Sequence, residues 1–383
     1  MEWSKYNLLF TDKGENHYYL YNTVSGFFVE LPKSIYETLL NFEHEDFSLL
    51  SYELLKMFKL KGIIVEDGAL EFMKLKTGQR AARFDLNKMI VDIICENSEK
   101  ANIFGAEYKE IEDGIFNFIT THDKVKKVVL NFYASDFNFV TSANSLHERL
   151  KRRSYDSIDY VITVELSVLA KTNLRDIVRN EALRVNILLS DDIISHVNVS
   201  HVKNAIDMLI HDKKNVRVIL VNHILPLMNI YKYLMSIYSA KHEHVNFVDH
   251  NQFNGCYVGH KFVASSKMPF APFRECIATR ANGFVIKPDG TIFKCWDDAI
   301  NNVDNMIGSV IDKTRKNIKN YLTYVAIKDG FEEANCVSCK LLPVCGGGCP
   351  KKRIKFGSGG KEFYCGIKEV GIESFLQNYL IER

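Results

Sequence analysis

Residues 89–133 decide the architecture. They read MIVDIIC (89–95), EYKEIEDGIFNFITTH (107–122) and KVVLNFY (127–133). The first and third are short apolar runs of strand length; the second places apolar residues at helical spacing. Two strands joined by a helical crossover predict a parallel pair with a right-handed connection. The alternation then continues through SANSLHERLKRR (142–153), DYVITVEL (159–166), NLRDIVRNEA (173–182), RVNILLS (184–190), HVKNAIDMLIHDKK (201–214), VRVILV (216–221), LPLMNIYKYLMSIYSA (225–240) and HVNFVDH (244–250). This gives six strand candidates with helices between them. The fold class is α/β, either a doubly wound open sheet or an incomplete β/α barrel. Only Pro226 interrupts the region, at a helix start where proline is tolerated.

Upstream, HYYLYNTVSGFFVEL (17–31) alternates apolar positions about a turn at Asn22 to Gly26, which predicts a hairpin. Helical spacing follows in SIYETLLNF (34–42) and SLLSYELLKMFKLKG (48–62), ending at Gly62. Residues 1–80 thus form a small winged-helix-like module. KLKTGQRAARFD, from Lys74 to Asp85, is charged and contains glycine, and is expected to link this module to the β/α region at 86–255. From 256 to 383 the periodicity fades, and five of the seven prolines appear. A segment of this texture is expected to take its order from metal rather than from a packed core.

The 383 residues are 46% hydrophobic and 25% charged, as in a folded soluble protein, and 49 basic against 47 acidic residues leave a net charge of +2. That balance argues against a dedicated nucleic-acid surface or a polybasic membrane anchor. The N-terminus lacks the basic and apolar regions of a signal peptide. The apolar stretch 216–240 is broken by Arg217, Asn222, His223 and Lys232, so no membrane span is expected and the location is expected to be cytoplasmic.

Nine cysteines are ordinary for this length, but eight of them lie in the last 128 residues. Clustered thiols in a reducing compartment are more often metal ligands than disulfides. Cys276 is followed after thirteen residues by Gly290 and after four more by Cys295; CVSCKLLPVCGGGC then carries Cys336, Cys339, Cys345 and Cys349, and Cys365 comes later. Thiolates suit both zinc and iron–sulfur clusters. All twelve histidines lie at or before His260, which excludes a mixed Cys/His zinc finger inside the array. The uneven spacing lacks the paired CxxC knuckles of a zinc ribbon and favours the larger cubane. An all-cysteine zinc site stays open.

The pattern Cx13Gx4C, gap, CxxCx5CxxxC, gap, C resembles the SPASM domain, a C-terminal extension of radical S-adenosylmethionine enzymes that modify peptides and proteins. GFVIKPDGTIFKCWD around Cys295 and LLPVCGGGCP around Cys349 resemble that family's phrases. The resemblance implies two auxiliary [4Fe-4S] clusters. The first would take Cys276, Cys295 and Cys349, with Cys256 or an open iron completing it; the second would take Cys336, Cys339, Cys345 and Cys365.

In the same superfamily a CxxxCxxC loop after the first barrel strand holds the cluster that chelates and cleaves the cofactor. Here that place reads ICENSEKANIFG, with Cys95 as its one cysteine, and Glu96, Asn97 and Glu99 are poor ligands for soft iron. The GGEP-like segment after the second strand is matched by Tyr133, Ala134, Ser135 and Asp136, with a bulky residue where a glycine permits close approach. Two independent losses imply a degenerate barrel, and S-adenosylmethionine is not an expected cofactor. Cys95, on an apolar strand, reads as a small buried residue. His147, His211, His242, His244 and His250 read as surface or structural histidines. No Walker-type loop, GxSxG or HExxH occurs. The run KKRIK from Lys351 reads as a solvated face, or in a functional version as a patch steering an acidic peptide or complementing reduced clusters.

The order of parts resembles the peptide maturases of ribosomally synthesised, post-translationally modified peptide pathways, and among them the SPASM-domain maturation proteins of grasp-with-spasm systems. The fold that this implies is a partial (β/α)6 radical-SAM-like barrel with a small N-terminal module and a C-terminal SPASM domain. In that family the N-terminal module captures a strand of the precursor peptide at a sheet edge, and an ATP-grasp ligase is the partner. The leading expectation is a maturation protein that binds precursor peptide and two [4Fe-4S] clusters without cleaving S-adenosylmethionine. A catalytically active iron–sulfur peptide-modifying enzyme and a zinc-stabilised binding scaffold are the alternatives.

Overall fold

The computed structural model describes residues 1–12, 14–40, 47–95, 106–134, 140–173, 175, 177, 181–189, 198–220, 225–238, 244–249, 256–258, 261–263, 276–301, 303–312, 314 and 316–357. By compactness the chain divides into two units. One comprises Met1–Phe84, Lys267–Cys276 and Ala326–Arg383; the other comprises Asp85–Ser266 and Ile277–Val325. Residues from 256 onward are therefore shared between the two.

In the first unit, β1 (Glu2–Trp3) is followed by β2 (Asn7–Thr11), β3 (Tyr18–Asn22) and β4 (Phe28–Leu31), the last three forming an antiparallel sheet in that order. The expected hairpin is β3–β4. Asn22 builds its turn: the side-chain oxygen accepts from the Val24 and Ser25 amides, and Nδ2 donates to Asn7 Oδ1 at 2.7 Å. Helices Lys33–Leu40 and Tyr52–Leu60 follow, the second capped by Ser51, and β5 (Ile64–Val65) pairs antiparallel with β1. Leu20, Tyr36, Leu39, Phe58 and Ile63 form the core of this part.

The expected linker at Lys74–Asp85 is instead the second half of a sixteen-residue helix, Gly68–Arg83. Asp67 caps it through the Ala69 and Leu70 amides, and Leu, Lys, Gln, Ala and Arg are good helix formers that outweigh the single interior Gly78. Charge alone was a poor guide to a break.

In the second unit all six expected strands form: β6 (Lys88–Cys95), β7 (Lys127–Ala134), β8 (Ser157–Glu165), β9 (Arg184–Leu189), β10 (Asn215–Leu220) and β11 (Val245–Asp249). They are parallel and lie side by side in chain order. These six run outward from β6 without a reversal among themselves. Right-handed crossovers in unbroken order put the helices on one face. Alternate strand residues such as Val91, Leu130, Ile162, Ile187 and Val218 accordingly share one core with helix residues such as Ile115, Leu146, Ile206 and Leu234. The residues of opposite parity include polar ones, Asp92, Asn131, Thr163, Asn186 and Arg217, and neighbours in this set bond to one another: Asn131 Nδ2 donates to Asp92 at 2.7 Å and Asn186 Nδ2 to Thr163 at 3.0 Å.

After β12 (Cys256–Val258) and β13 (Lys261–Val263), an antiparallel pair, the sheet continues on the other side of β6. There β14 (Gly283–Ile286) runs parallel to β6, and β15 (Thr291–Phe293) and β16 (Gly308–Ser309) extend it antiparallel. Residues 277–325 thus have a packed core, contrary to the expectation of metal-dependent order. Val285, Phe293, Trp296 and Ala299 bury against Ile94 of β6. Strands β14 and β15 are four and three residues long, too short to show a period in the sequence. Among the described residues, no helix is long and apolar enough to cross a membrane.

Candidate metal centre

Cys295 lies between β15 and the helix Trp296–Asn301, and both of its chain neighbours are anchored. Lys294 is 1% exposed. Its ammonium donates to the carbonyls of Arg280 at 2.5 Å, Gly283 at 2.6 Å and Ala281 at 3.5 Å, between the rings of Phe284 and Tyr321. On the other side the Trp296 indole packs edge-on against Tyr133 at 4.6 Å and donates Nε1 to Asp92 Oδ2 at 2.6 Å. Asp92 stands 5% exposed in the middle of β6. Burial pushes its carboxyl up to about 6, against the pull of hydrogen bonds from Asn131, Trp296 and Tyr133.

The Cys295 thiol itself lies within hydrogen-bond reach of the Tyr324 hydroxyl, which donates to Asp298 Oδ2 at 2.5 Å. Asp298 is buried and also accepts from Asn305 Nδ2 at 2.9 Å. Burial first, then the Cys295 and Asp298 charges, hold the Tyr324 phenol far above its ordinary range. It stays a donor at any working pH.

In the first unit four described thiols, Cys336, Cys339, Cys345 and Cys349, sit on a run of tight turns. Helix Ala334–Val337 carries Cys336, the Cys339 amide bonds the Cys336 carbonyl at 2.9 Å, and helix Leu342–Cys345 ends at Cys345. Gly346, Gly347 and Gly348 then take three successive left-handed conformations, with φ of 60°, 88° and 78°. A Cβ on Gly347 would stand 2.8 Å from the Gly330 Cα, so at this point only glycine lets the two backbones meet. Cys349 leads into helix Pro350–Gly357, where Arg353 of the KKRIK run is buried rather than solvated.

The N-terminal module belongs to the same compact unit and bonds these turns directly. Thr23 Oγ1 donates to the Lys340 carbonyl at 2.6 Å, Lys5 Nζ to the Val337 carbonyl at 3.3 Å, and Arg83 to the Ile327 carbonyl at 2.6 Å. Arg80 pairs with Glu332. Tyr6, Leu75, Phe331, Cys336 and Leu342 form one apolar cluster. No sequence pattern hints at this clasp, because its halves lie more than 200 residues apart.

None of the seven cysteines with described side chains is in a disulfide: Cys276 is exposed, Cys336 buried, and Cys95, Cys295, Cys339, Cys345 and Cys349 are intermediate. Cys95, expected to be buried, is partly exposed and packs at the margin of the main core. Cys256 begins β12, and its side chain lies outside the described residues, as do Cys365, the residues 96–105 after β6, and Ser135 and Asp136. Tyr133 and Ala134 end β7.

Among the described residues, one set of three possible ligand atoms gathers within 4.8 Å, namely His147, Glu148 and Glu181, and it contains no cysteine. Lys151 already bonds Glu148 at 2.5 Å and Glu181 at 3.2 Å, so the carboxylates have a cation, and burial holds the His147 pKa below its ordinary value. That set is an ion-pair cluster. The sequence reading missed Asp92, Lys294, Trp296, Asp298, Tyr324 and Tyr6. For two of them a signal was there: Asp92 interrupts an apolar strand and Lys294 an apolar turn, and buried charges need partners.

No family model matches the chain, and no curated protein does. Among solved structures it is similar to a polyhistidine-tagged "anSMEcpe with bound AdoMet", at 12% identity and a TM-score of 0.41, over 76% of this chain and 91% of that one.

Proposed function

We propose that the chain is a maturation protein for a ribosomally synthesised peptide. Its N-terminal module binds the precursor and its cysteine-rich tail holds two [4Fe-4S] clusters, while the β/α region, an incomplete barrel, serves as a scaffold that does not cleave S-adenosylmethionine. The observation that carries this reading is the donor set. Four thiols, Cys336, Cys339, Cys345 and Cys349, stand on one run of turns clasped to the N-terminal module. The uneven spacing of these thiols, without the paired CxxC knuckles of a zinc ribbon, favours the larger cubane.

Cys276, Cys295 and Cys349, with Cys256 or an open iron, would hold the first cluster; Cys336, Cys339, Cys345 and Cys365 would hold the second. Such clusters supply a one-electron store. The chain's own part at the first site is to fix Cys295 between the anchored Lys294 and Trp296. For the peptide, β4 is bonded on one side only among the described residues, to β3, and carries the exposed Phe28 stacked on Tyr19. An edge of that kind accepts a further strand. An ATP-grasp ligase is the partner that the resemblance to grasp-with-spasm maturation proteins implies.

The cofactor claim is tested by incubating the anaerobically loaded, dithionite-reduced chain with S-adenosylmethionine. We expect no 5′-deoxyadenosine above the protein-free control. Sustained formation of that product would contradict a degenerate barrel.

A further inference from the structure

We propose that the Tyr6 hydroxyl donates a hydrogen bond to the sulfur shell of the second cluster, the one assigned to Cys336, Cys339, Cys345 and Cys365, and so raises its reduction potential. This rests on the iron–sulfur reading of the tail. Tyr6 is 0% exposed, and its hydroxyl oxygen is shut off from solvent with no hydrogen-bond partner among the described residues. A buried hydroxyl left without an acceptor is destabilising, and phenylalanine would fill the same space without that cost. Its position therefore needs an acceptor.

The neighbours limit what that acceptor is. The ring packs in one apolar cluster with Cys336 and Leu342, and the charges its oxygen senses are those of Glu71 and Cys339. Glu71 is engaged by Ser4 Oγ, 3.0 Å from each carboxylate oxygen. Lys5 holds the ring from above, 5.0 Å from its centre, while bonding the Val337 carbonyl between the two cysteines. Binding a cluster would bring an acceptor to this place, the sulfur of Cys336 or Cys339 or a sulfide bridging their irons. A hydrogen bond to such a sulfur stabilises the more negative, reduced cluster.

The test uses the full chain, loaded anaerobically with ferrous iron and sulfide, and a potentiometric titration followed by electron paramagnetic resonance. Tyr6→Phe should keep its iron and its unfolding midpoint. One of its two cluster potentials should fall by an equilibrium factor of about ten, ~59 mV for a one-electron couple, while the other stays. Tyr21→Phe is the control. Tyr21 is also a buried phenol of this unit whose hydroxyl has no partner among the described residues, but burial alone raises its pKa, with no cysteine nearby. It should move neither potential. Unchanged potentials in an iron-replete Tyr6→Phe chain, or an equal shift in Tyr21→Phe, would overturn the contact. A wild-type chain that takes up zinc and no iron would instead overturn the reading beneath it, before any variant is made.

Discussion

Asp92→Ala is expected to destabilise the chain by about 4 kcal/mol near pH 4 and by about 2 kcal/mol less near pH 7. The substitution leaves three buried donors, Asn131 Nδ2, Trp296 Nε1 and the Tyr133 hydroxyl, without their shared acceptor, at about 1–3 kcal/mol each. The pH dependence comes from the wild type. Its carboxyl titrates at about 6 when folded and near the ordinary 3.8 when unfolded. Well below pH 4 both states are protonated and the group's contribution is complete. As pH rises toward 6 only the folded chain keeps the proton, and stability falls, by about 3 kcal/mol in all. The variant lacks that slope. Urea unfolding of both chains across this range checks it, and parallel curves would refute the assignment. Because Trp296 adjoins Cys295, the same variant should hold iron at the first site more weakly.

Lys294→Met is expected to cost about 3 kcal/mol and to lower the thermal midpoint by roughly 4–6 °C. Methionine keeps the length of the side chain and its apolar contacts with Phe284 and Tyr321, but leaves the carbonyls of Arg280 and Gly283 without the ammonium that serves them. Relief of burying a cation offsets part of this loss. The Ala281 carbonyl keeps the Tyr321 hydroxyl at 3.2 Å, so the damage centres on the turn 280–283 that leads into β14. Calorimetry measures it; a change under about 1 kcal/mol would mean that the ammonium is not what holds the turn.

The parts of the fold legible in the sequence were those with a period long enough to repeat. The six parallel strands and the β3–β4 hairpin stood out because each apolar run is bounded by turns or by an amphipathic helix. Their order across the sheet was not legible, since both singly and doubly wound sheets are built from the same alternation. Lys74–Asp85 was misread because charge and one glycine suggested a linker where Asp67 caps a helix. Strand β14 escaped notice for a different reason. It is four residues long, and its partner β6 lies about 190 residues away.

For the candidate site, the cysteines declare themselves by type and spacing, which is chemistry written along the chain. The side chains that position them do not. Lys294, Trp296 and Asp92 act through hydrogen bonds that only the sheet pairing of β6, β14 and β15 brings about, and Tyr6 meets Cys336 only through the clasp between the module and the tail. That clasp also gives the proposed function its physical sense. A strand added at the module's edge would join the compact unit that carries six of the eight tail cysteines, so peptide binding and cluster environment would be coupled within one body.

Whether the tail thiols house cubanes is decided by iron and acid-labile sulfide, counted per chain after anaerobic purification. About eight of each are expected, as two [4Fe-4S] centres require, falling to about four when Cys336, Cys339 and Cys345 are all replaced by serine. One or two zinc ions with no sulfide would contradict the iron–sulfur reading of the tail.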